Sequence, residues 1–285
     1  IAGRLGDAFG PKRVYLTGLA VFTLASLGCG LSTSLSMLVA MRAAQGLGAA
    51  LMTPQTMALI TRTFPPNHRG AAMGLWGATA GVATLVGPIA GGLLVDAFGW
   101  EAIFFVNLPV GVVGFVLAWL LVPRLETHPH RFDLLGVVLS AAGLFLLVFG
   151  LQEGENYAWG TIWGPVSVWS MIIAGVALLA VFVWQQSRTT SEPLIPLELF
   201  RDRNFSVSNL AIVTVGFAVT AMSLPMMFFL QLARGLTPTD AALLTIPTAV
   251  LSGVLSPIAG NILDRTDPRY LLVPGLLMVA GGQFW

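Results

Sequence analysis

The strongest constraint on this chain is a succession of apolar runs, separated by short gaps that hold nearly all of its charge. A membrane-spanning helix needs about 20 consecutive, mostly apolar residues. Eight runs meet that length, at 14–31, 35–61, 71–95, 101–122, 134–151, 165–186, 205–230 and 241–263. A ninth begins near Leu271, and residues 1–3 read as the tail of an earlier helix. Only 9% of the 285 residues are charged and 56% are hydrophobic, whereas soluble domains carry about 25% charged residues. The mean hydropathy is +0.83. An all-α membrane protein follows, with eight full spans and partial ones at the ends. The start at Ile1 and the end at Trp285, inside an apolar run, read as a piece of a longer protein.

Charge placement orients the spans. Cytoplasmic loops of membrane proteins carry an excess of Lys and Arg. Of 14 basic residues, 12 fall in alternate gaps: 4–13, 62–70, 123–133, 187–203 and 264–270. The other gaps hold Arg234 alone. Loop 4–13 is therefore expected on the cytoplasmic side of a cell (plasma or inner) membrane. The 13 acidic residues all lie in gaps or at span ends.

The exception is Arg42, inside "LVAMRAAQGLGAALMT". Arg42, Gln45 and Gly46 share a helix face by their spacing, and Ala50 and Pro54 continue it. Small residues on a face permit close helix approach. Arg42 lies seven residues into its span, roughly 10 Å deep at ~1.5 Å per residue. Its expected partner is a group outside the visible spans, or a protein-lined water pocket. The next span carries glycines and a proline on one stripe: Gly74, Gly77, Gly81, Thr84, Pro88 and Gly91. Pro88 removes a backbone hydrogen bond and is expected to bend the helix.

Two turns resemble each other. "GRLGDAFGPKR" at 3–13 and "GNILDRTDPRY" at 260–270 both place a glycine four residues before an aspartate, followed by basic residues. The first supplies Gly3, Asp7, Gly10, Lys12 and Arg13; the second supplies Gly260, Asp264 and Arg265. Asp7 is expected to accept hydrogen bonds from a neighbouring helix N-terminus, where the helix dipole favours an anion. An internal repeat of this kind fits a transporter built from two halves. Other features read as solvated or structural. His68, His128 and His130 are loop residues without metal-ligand spacing, and no metal or cofactor is expected. Cys29 is a lone thiol in an apolar run. Glu153, Glu155, Tyr157 and Trp159 read as an interfacial outer loop. No basic patch points to nucleic acid, and no catalytic triad, phosphate-binding loop or dinucleotide fingerprint is present, so an enzyme is not expected.

Taken in order, "GRLGDAFGPKR", "MRAAQGLGAA", "GPIAGG" and "GWEAIFFVNLPVG" resemble the successive signatures of the major facilitator superfamily. They are most similar to its fourteen-helix drug:proton antiporter branch. "RFDLLGVVLSAAGLFLLVFGLQEG" and "PLIPLELFRDRNF" look like that branch's two extra central helices and the loop after them. The resemblance implies a helical bundle truncated at both ends. It divides into part of an N-terminal bundle at 1–122, the extra helices and loop at 123–203, and part of a C-terminal bundle at 204–285. It implies alternating access driven by proton antiport, with hydrophobic or cationic drug-like molecules as substrates and a monomer in the bilayer. Arg42 and Gln45 become proton-coupling candidates. Gly87, Pro88, Gly91 and Gly92 form the antiporter motif, and the 3–13 turn belongs to a cytoplasmic gate. A coupling carboxylate is expected on the first helix of the whole protein. Three positions depart from the pattern: Ala8 and Ala83 replace a basic residue and a glycine, and Glu101 stands where the branch often has arginine. A facilitator for an amino acid, siderophore or sugar, and a non-transporting scaffold or sensor, are the competing readings.

Overall fold

A computed structural model describes residues 2–125, 127, 133–189 and 193–282, apart from the side chains at 84, 85, 88, 223, 224, 238, 239 and 242. His128 and His130, named above, lie outside the described residues. So do the side chains of Thr84 and Pro88. The helices are α1 (Ala2–Phe9), α2 (Pro11–Gly30), α3 (Leu35–Thr63), α4 (Arg69–Phe98), α5 (Ala102–Phe105), α6 (Asn107–Leu121), α7 (Leu134–Glu153), α8 (Val168–Arg188), α9 (Arg203–Phe228), α10 (Pro238–Leu243), α11 (Ile246–Leu263) and α12 (Arg269–Gly282). Among the described residues, seven helical stretches are long and apolar enough to cross a membrane. The 30 residues of α4 add a stretch of about 45 Å at 1.5 Å per residue. Large apolar side chains such as Leu24, Leu93, Leu121 and Leu232 stand exposed on the helices, as lipid-facing residues do.

Four details depart from the expectation. The segment before the first full span is helical through Phe9, not only through residue 3. Gly10 then turns at φ 93°, a left-handed conformation open to glycine at no steric cost, and Pro11 opens α2. The run at 241–263 is two helices, α10 and α11, broken at Leu244 and Thr245. Pro247 falls in the first turn of α11, where a missing N–H is harmless, and α11 starts afresh there. The loop after Glu153 contains a two-stranded antiparallel ribbon, β1 (Thr161–Trp163) and β2 (Val166–Ser167). The run at 101–122 is interrupted once, at Val106 between α5 and α6.

The chain divides into two compact units. In the first, 128–211, α7 packs on α8. Gly136, Gly143 and Gly150 recur every seven residues along α7 and lie against Gln186, Leu179 and Ile172 of α8. Without a hydrophobic drive between helices in lipid, such small residues let backbones approach. Reciprocal Ser167–Ser170 hydrogen bonds (3.1 and 2.9 Å) cap α8.

In the second unit, 2–127 with 212–285, α2 packs on α3 and α6, and α4 packs on α11. Gly18 and Gly48 form the α2–α3 contact, with each glycine against the other's carbonyl oxygen. The close approach on α3 therefore runs through Gln45 and Gly48, both buried. The face of Gly46 and Ala50, expected to serve this purpose, is exposed, and nothing lies within 4 Å of where a Cβ on Gly46 would sit. Three residues, not four, separate the stripe that packs from Arg42.

Candidate functional site

The basic-rich end of the second unit joins both copies of the repeated turn to other helices. Asp264 follows α11 and reaches the first turn of α4. Its Oδ1 accepts from the Gly70 N–H at 2.7 Å and its Oδ2 from the Ala71 N–H at 2.9 Å. The residue at the N-cap position of α4, His68, makes no side-chain cap. Asp264 thus caps α4 from another helix, placing an anion where the dipole is positive. Gly70 and Gly260 make this possible. A Cβ on either would fall on the other's carbonyl oxygen.

Asp7 does something different. Its Oδ1 accepts from Arg62 Nη2 at 2.6 Å, an ion pair between α1 and the end of α3. The helix N-terminus expected for Asp7 is found instead at Asp264. Gly3 has open space around it. Lys12 points its Nζ at the last carbonyls of α6, Trp119 at 2.6 Å and Val122 at 2.5 Å. A cation there answers the negative end of the helix. Arg13 and Arg265 are exposed.

Arg42 has a partner within its own helix, which corrects the expectation that none is visible. Its Nη1 donates to Gln45 Oε1 at 2.7 Å. Gln45 is buried; its Nε2 donates to Ser26 Oγ on α2 at 3.2 Å. Ser26, fully buried, donates to the Phe104 carbonyl at 3.0 Å and accepts from Asn107 Nδ2 at 3.0 Å. The guanidinium also stands 5.9 Å from the Phe104 ring centroid. A polar chain therefore runs from Arg42 through α3, α2 and the α5–α6 junction. Every member has a partner, as buried polar groups require. The charge itself meets only neutral groups among the described residues. Arg42 is exposed, so its guanidinium remains open to a further ligand.

The glycine stripe of α4 splits into two parts. Gly70, Gly74, Gly77 and Gly81 lie against α11, next to Gly260, Ser256, Pro257 and Ser252. Nothing lies within 4 Å of where a Cβ would sit at Gly87, Gly91 or Gly92. Helix α4 runs unbroken through Pro88.

Sequence reasoning missed several residues here. Ser26 and Asn107 carry no periodic signal, although Asn107 falls within the "VNLPVG" signature. Gln55, almost wholly buried, donates to the Ala2 carbonyl at 2.6 Å and ties α3 to α1. In the other unit, Asp133 caps α7 through the Gly136 N–H at 2.9 Å. It also accepts from Gln185 Nε2 at 3.1 Å and Gln186 Nε2 at 2.6 Å. Burial acts to raise the Asp133 pKa, but the hydrogen bonds from Gly136, Gln185 and Gln186 outweigh it and hold the carboxyl below its ordinary value. A hydropathy reading sees only two glutamines near a span end. Among the described residues, no group of three His, Cys, Asp or Glu side chains could hold a metal.

Residues 1–285 match the family model described as Major Facilitator Superfamily. The MFS-type transporter Rv1250 of Mycobacterium tuberculosis (strain ATCC 25618 / H37Rv) is 55% identical over 100% of this chain and 48% of its own length. The Tetracenomycin C resistance and export protein of Streptomyces glaucescens is 37% identical over 98% of this chain and 51% of its own. Multidrug resistance protein Stp of Mycobacterium tuberculosis (strain CDC 1551 / Oshkosh) is 37% identical over 99% of this chain and 52% of its own. The chain spans about half the length of these curated relatives. With its family match unbroken from end to end and its helices long enough to cross a bilayer many times, this multi-pass membrane chain belongs to the Major Facilitator Superfamily.

Proposed function

We propose that the protein to which this chain belongs exports hydrophobic or cationic small molecules in exchange for protons, by alternating access. The observation that carries the reading is Arg42. It is a permanent charge about two turns inside a span, held at one end by a neutral polar chain and open at the other. A cation so placed lowers the pKa of a carboxyl group that approaches it. It can therefore drive proton release when substrate or helix movement brings such a group near. The relatives named for export and multidrug resistance support an outward cargo of drug-like size. In this reading 1–122 and 204–285 belong to the two moving bundles, and 123–203 carries the two extra helices of the fourteen-helix branch. The basic-rich end, with Asp7, Gly10, Lys12, Arg13 and Asp264, faces the cytoplasm and works as the gate. Gly87, Pro88, Gly91 and Gly92 form a part of α4 free to bend. The protein acts as a monomer in the cell membrane.

Everted vesicles containing the full-length protein test the assignment. Arg42→Ala is expected to abolish proton-driven uptake of a cationic dye while leaving protein level unchanged. Full uptake at normal protein level removes Arg42 from coupling. Substrate-induced proton release from the purified protein, measured across cationic drugs, amino acids, siderophores and sugars, separates drug export from a facilitator with another cargo. Absence of counterflow for every solute favours a scaffold or sensor.

A further inference from the structure

At the basic-rich end, α2, α6 and the residues after α6 border an open groove of about 420 Å³ lined by Lys12, Arg13, Leu16, Trp119, Leu120 and Arg124. A second cavity of about 160 Å³ shares Lys12, Arg13 and Arg124 and extends to Gly10 and Thr127. Among the described residues, no carboxylate lines either one. The Lys12 amine is held in place by the α6 carbonyls, so its charge stays at the cavity wall. Arg13 and Arg124 are exposed and make no hydrogen bond or ion pair with another described residue. Three cations thus cluster at one groove without a counter-ion among the described residues, an arrangement that favours an anion.

The surroundings identify the kind of anion. Trp119 and Leu120 are 60% and 65% exposed, which places an indole and an apolar side chain beside the cations. Amphipathic aromatic rings settle at the headgroup level of a bilayer. From Leu120 an exposed apolar track continues along one face of α6 through Leu117 and Val113, at the spacing of one helix side. A ligand that satisfies both halves has a phosphate at one end and an alkyl chain at the other. We propose that this groove binds an anionic glycerophospholipid of the adjoining leaflet. Arg13 and Arg124 take the phosphate, Trp119 sits at the glycerol level and an acyl chain follows α6. The proposal needs the chain to be embedded in a bilayer but not to transport. A basic pocket between membrane helices is a recognised form of headgroup site.

Native mass spectrometry of the full-length protein, extracted from liposomes of equal phosphatidylglycerol and phosphatidylethanolamine, tests it. The wild type is expected to retain phosphatidylglycerol in preference. Arg13→Gln with Arg124→Gln is expected to lower that retention about 25-fold, from about fivefold per cation near an anionic headgroup. Arg13→Lys with Arg124→Lys keeps the charges and is expected to stay within a few-fold of wild type. If the double glutamine variant does not fold, Arg124→Gln alone decides, with an expected drop of about fivefold. Equal retention of the two lipids, or unchanged phosphatidylglycerol retention in a folded glutamine variant, overturns the proposal. So does displacement of the lipid by millimolar inorganic phosphate or glycerol 3-phosphate, which would assign the cations to a soluble anion.

Discussion

Replacing Asp264 with asparagine isolates the link between α4 and α11. The aspartate accepts two backbone hydrogen bonds, 2.7 Å from Gly70 and 2.9 Å from Ala71, at the start of a 30-residue helix. Asparagine keeps the shape and one acceptor oxygen. It loses the charge and turns an NH₂ toward a backbone N–H. A lost hydrogen bond to a charged group costs about 1.5–3 kcal/mol, and the lost anion at the helix N-terminus adds about 0.3–1 kcal/mol. These overlap, so about 2–3 kcal/mol is a fair sum, or about 30- to 150-fold in the ratio of parted to packed α4–α11 ends. Ser256→Cys on α11 reports that ratio, because residue 256 lies half-buried against Gly74 and Gly77. Cys29 is fully buried and adds little background. In vesicles containing the full-length protein, maleimide labelling of the introduced thiol should accelerate by that factor in Asp264→Asn, up to the rate of a free surface thiol. Asp264→Ala, which loses both bonds, should accelerate it at least as much. Labelling rates within twofold of the Asp264 protein in both variants would refute the clamp.

The same interface makes Gly260→Ala costly, since its Cβ meets the Gly70 backbone, which cannot swing aside; overpacking costs about 1–3 kcal/mol, and the Ser256→Cys reporter should label faster, as with Asp264→Asn. Gln45→Leu should reduce proton-driven uptake because it cuts Arg42 from Ser26; wild-type uptake at normal protein level would separate the two residues. Because the Asp133 carboxyl is held below its ordinary pKa, its contribution is complete above the unfolded value, about 3.9, and fades as pH falls through the folded one. The melting-temperature gap between wild type and Asp133→Asn should therefore be constant near neutrality and shrink below about pH 4; a gap unchanged in acid contradicts the assignment. Ala158 and Trp159 sit at φ 46° and 58°, and left-handed backbone costs a non-glycine residue about 1–2 kcal/mol, so Ala158→Gly should raise the melting temperature, whereas a fall would mean the methyl group packs.

Span positions were legible because they are local properties. Run length and flanking charge place 35–61 and 134–151 within two residues of α3 (Leu35–Thr63) and α7 (Leu134–Glu153). The α10–α11 break was not legible by the same means. Leu243, Leu244 and Ile246 keep the run apolar, and only Pro247 marks a fresh helix start. The site was half legible. Arg42 stood out because a charge in an apolar run is costly. Gln45 stood out by its i+3 spacing on the same face, but Ser26, 19 residues from Gln45 on another helix, carries no periodic signal.

The two repeated turns show why a motif alone does not assign a contact. Both offer a glycine, an aspartate four residues later and basic residues after it, yet Asp264 caps a helix while Asp7 pairs with an arginine. What differs is the neighbour. The Gly260 surface allows α4 to come close enough for its first N–H groups to reach the carboxylate, whereas open space surrounds Gly3. A carboxylate takes the strongest donor within reach. Among the described residues, the donor that reaches Asp7 is the Arg62 guanidinium, about one-third exposed. In the proposed two-halved transporter, the second-half counterpart of α4 would bring such a helix end to Gly3. Asp7 would then be shared between Arg62 and backbone N–H groups, and the gate would close on two clamps related by the repeat.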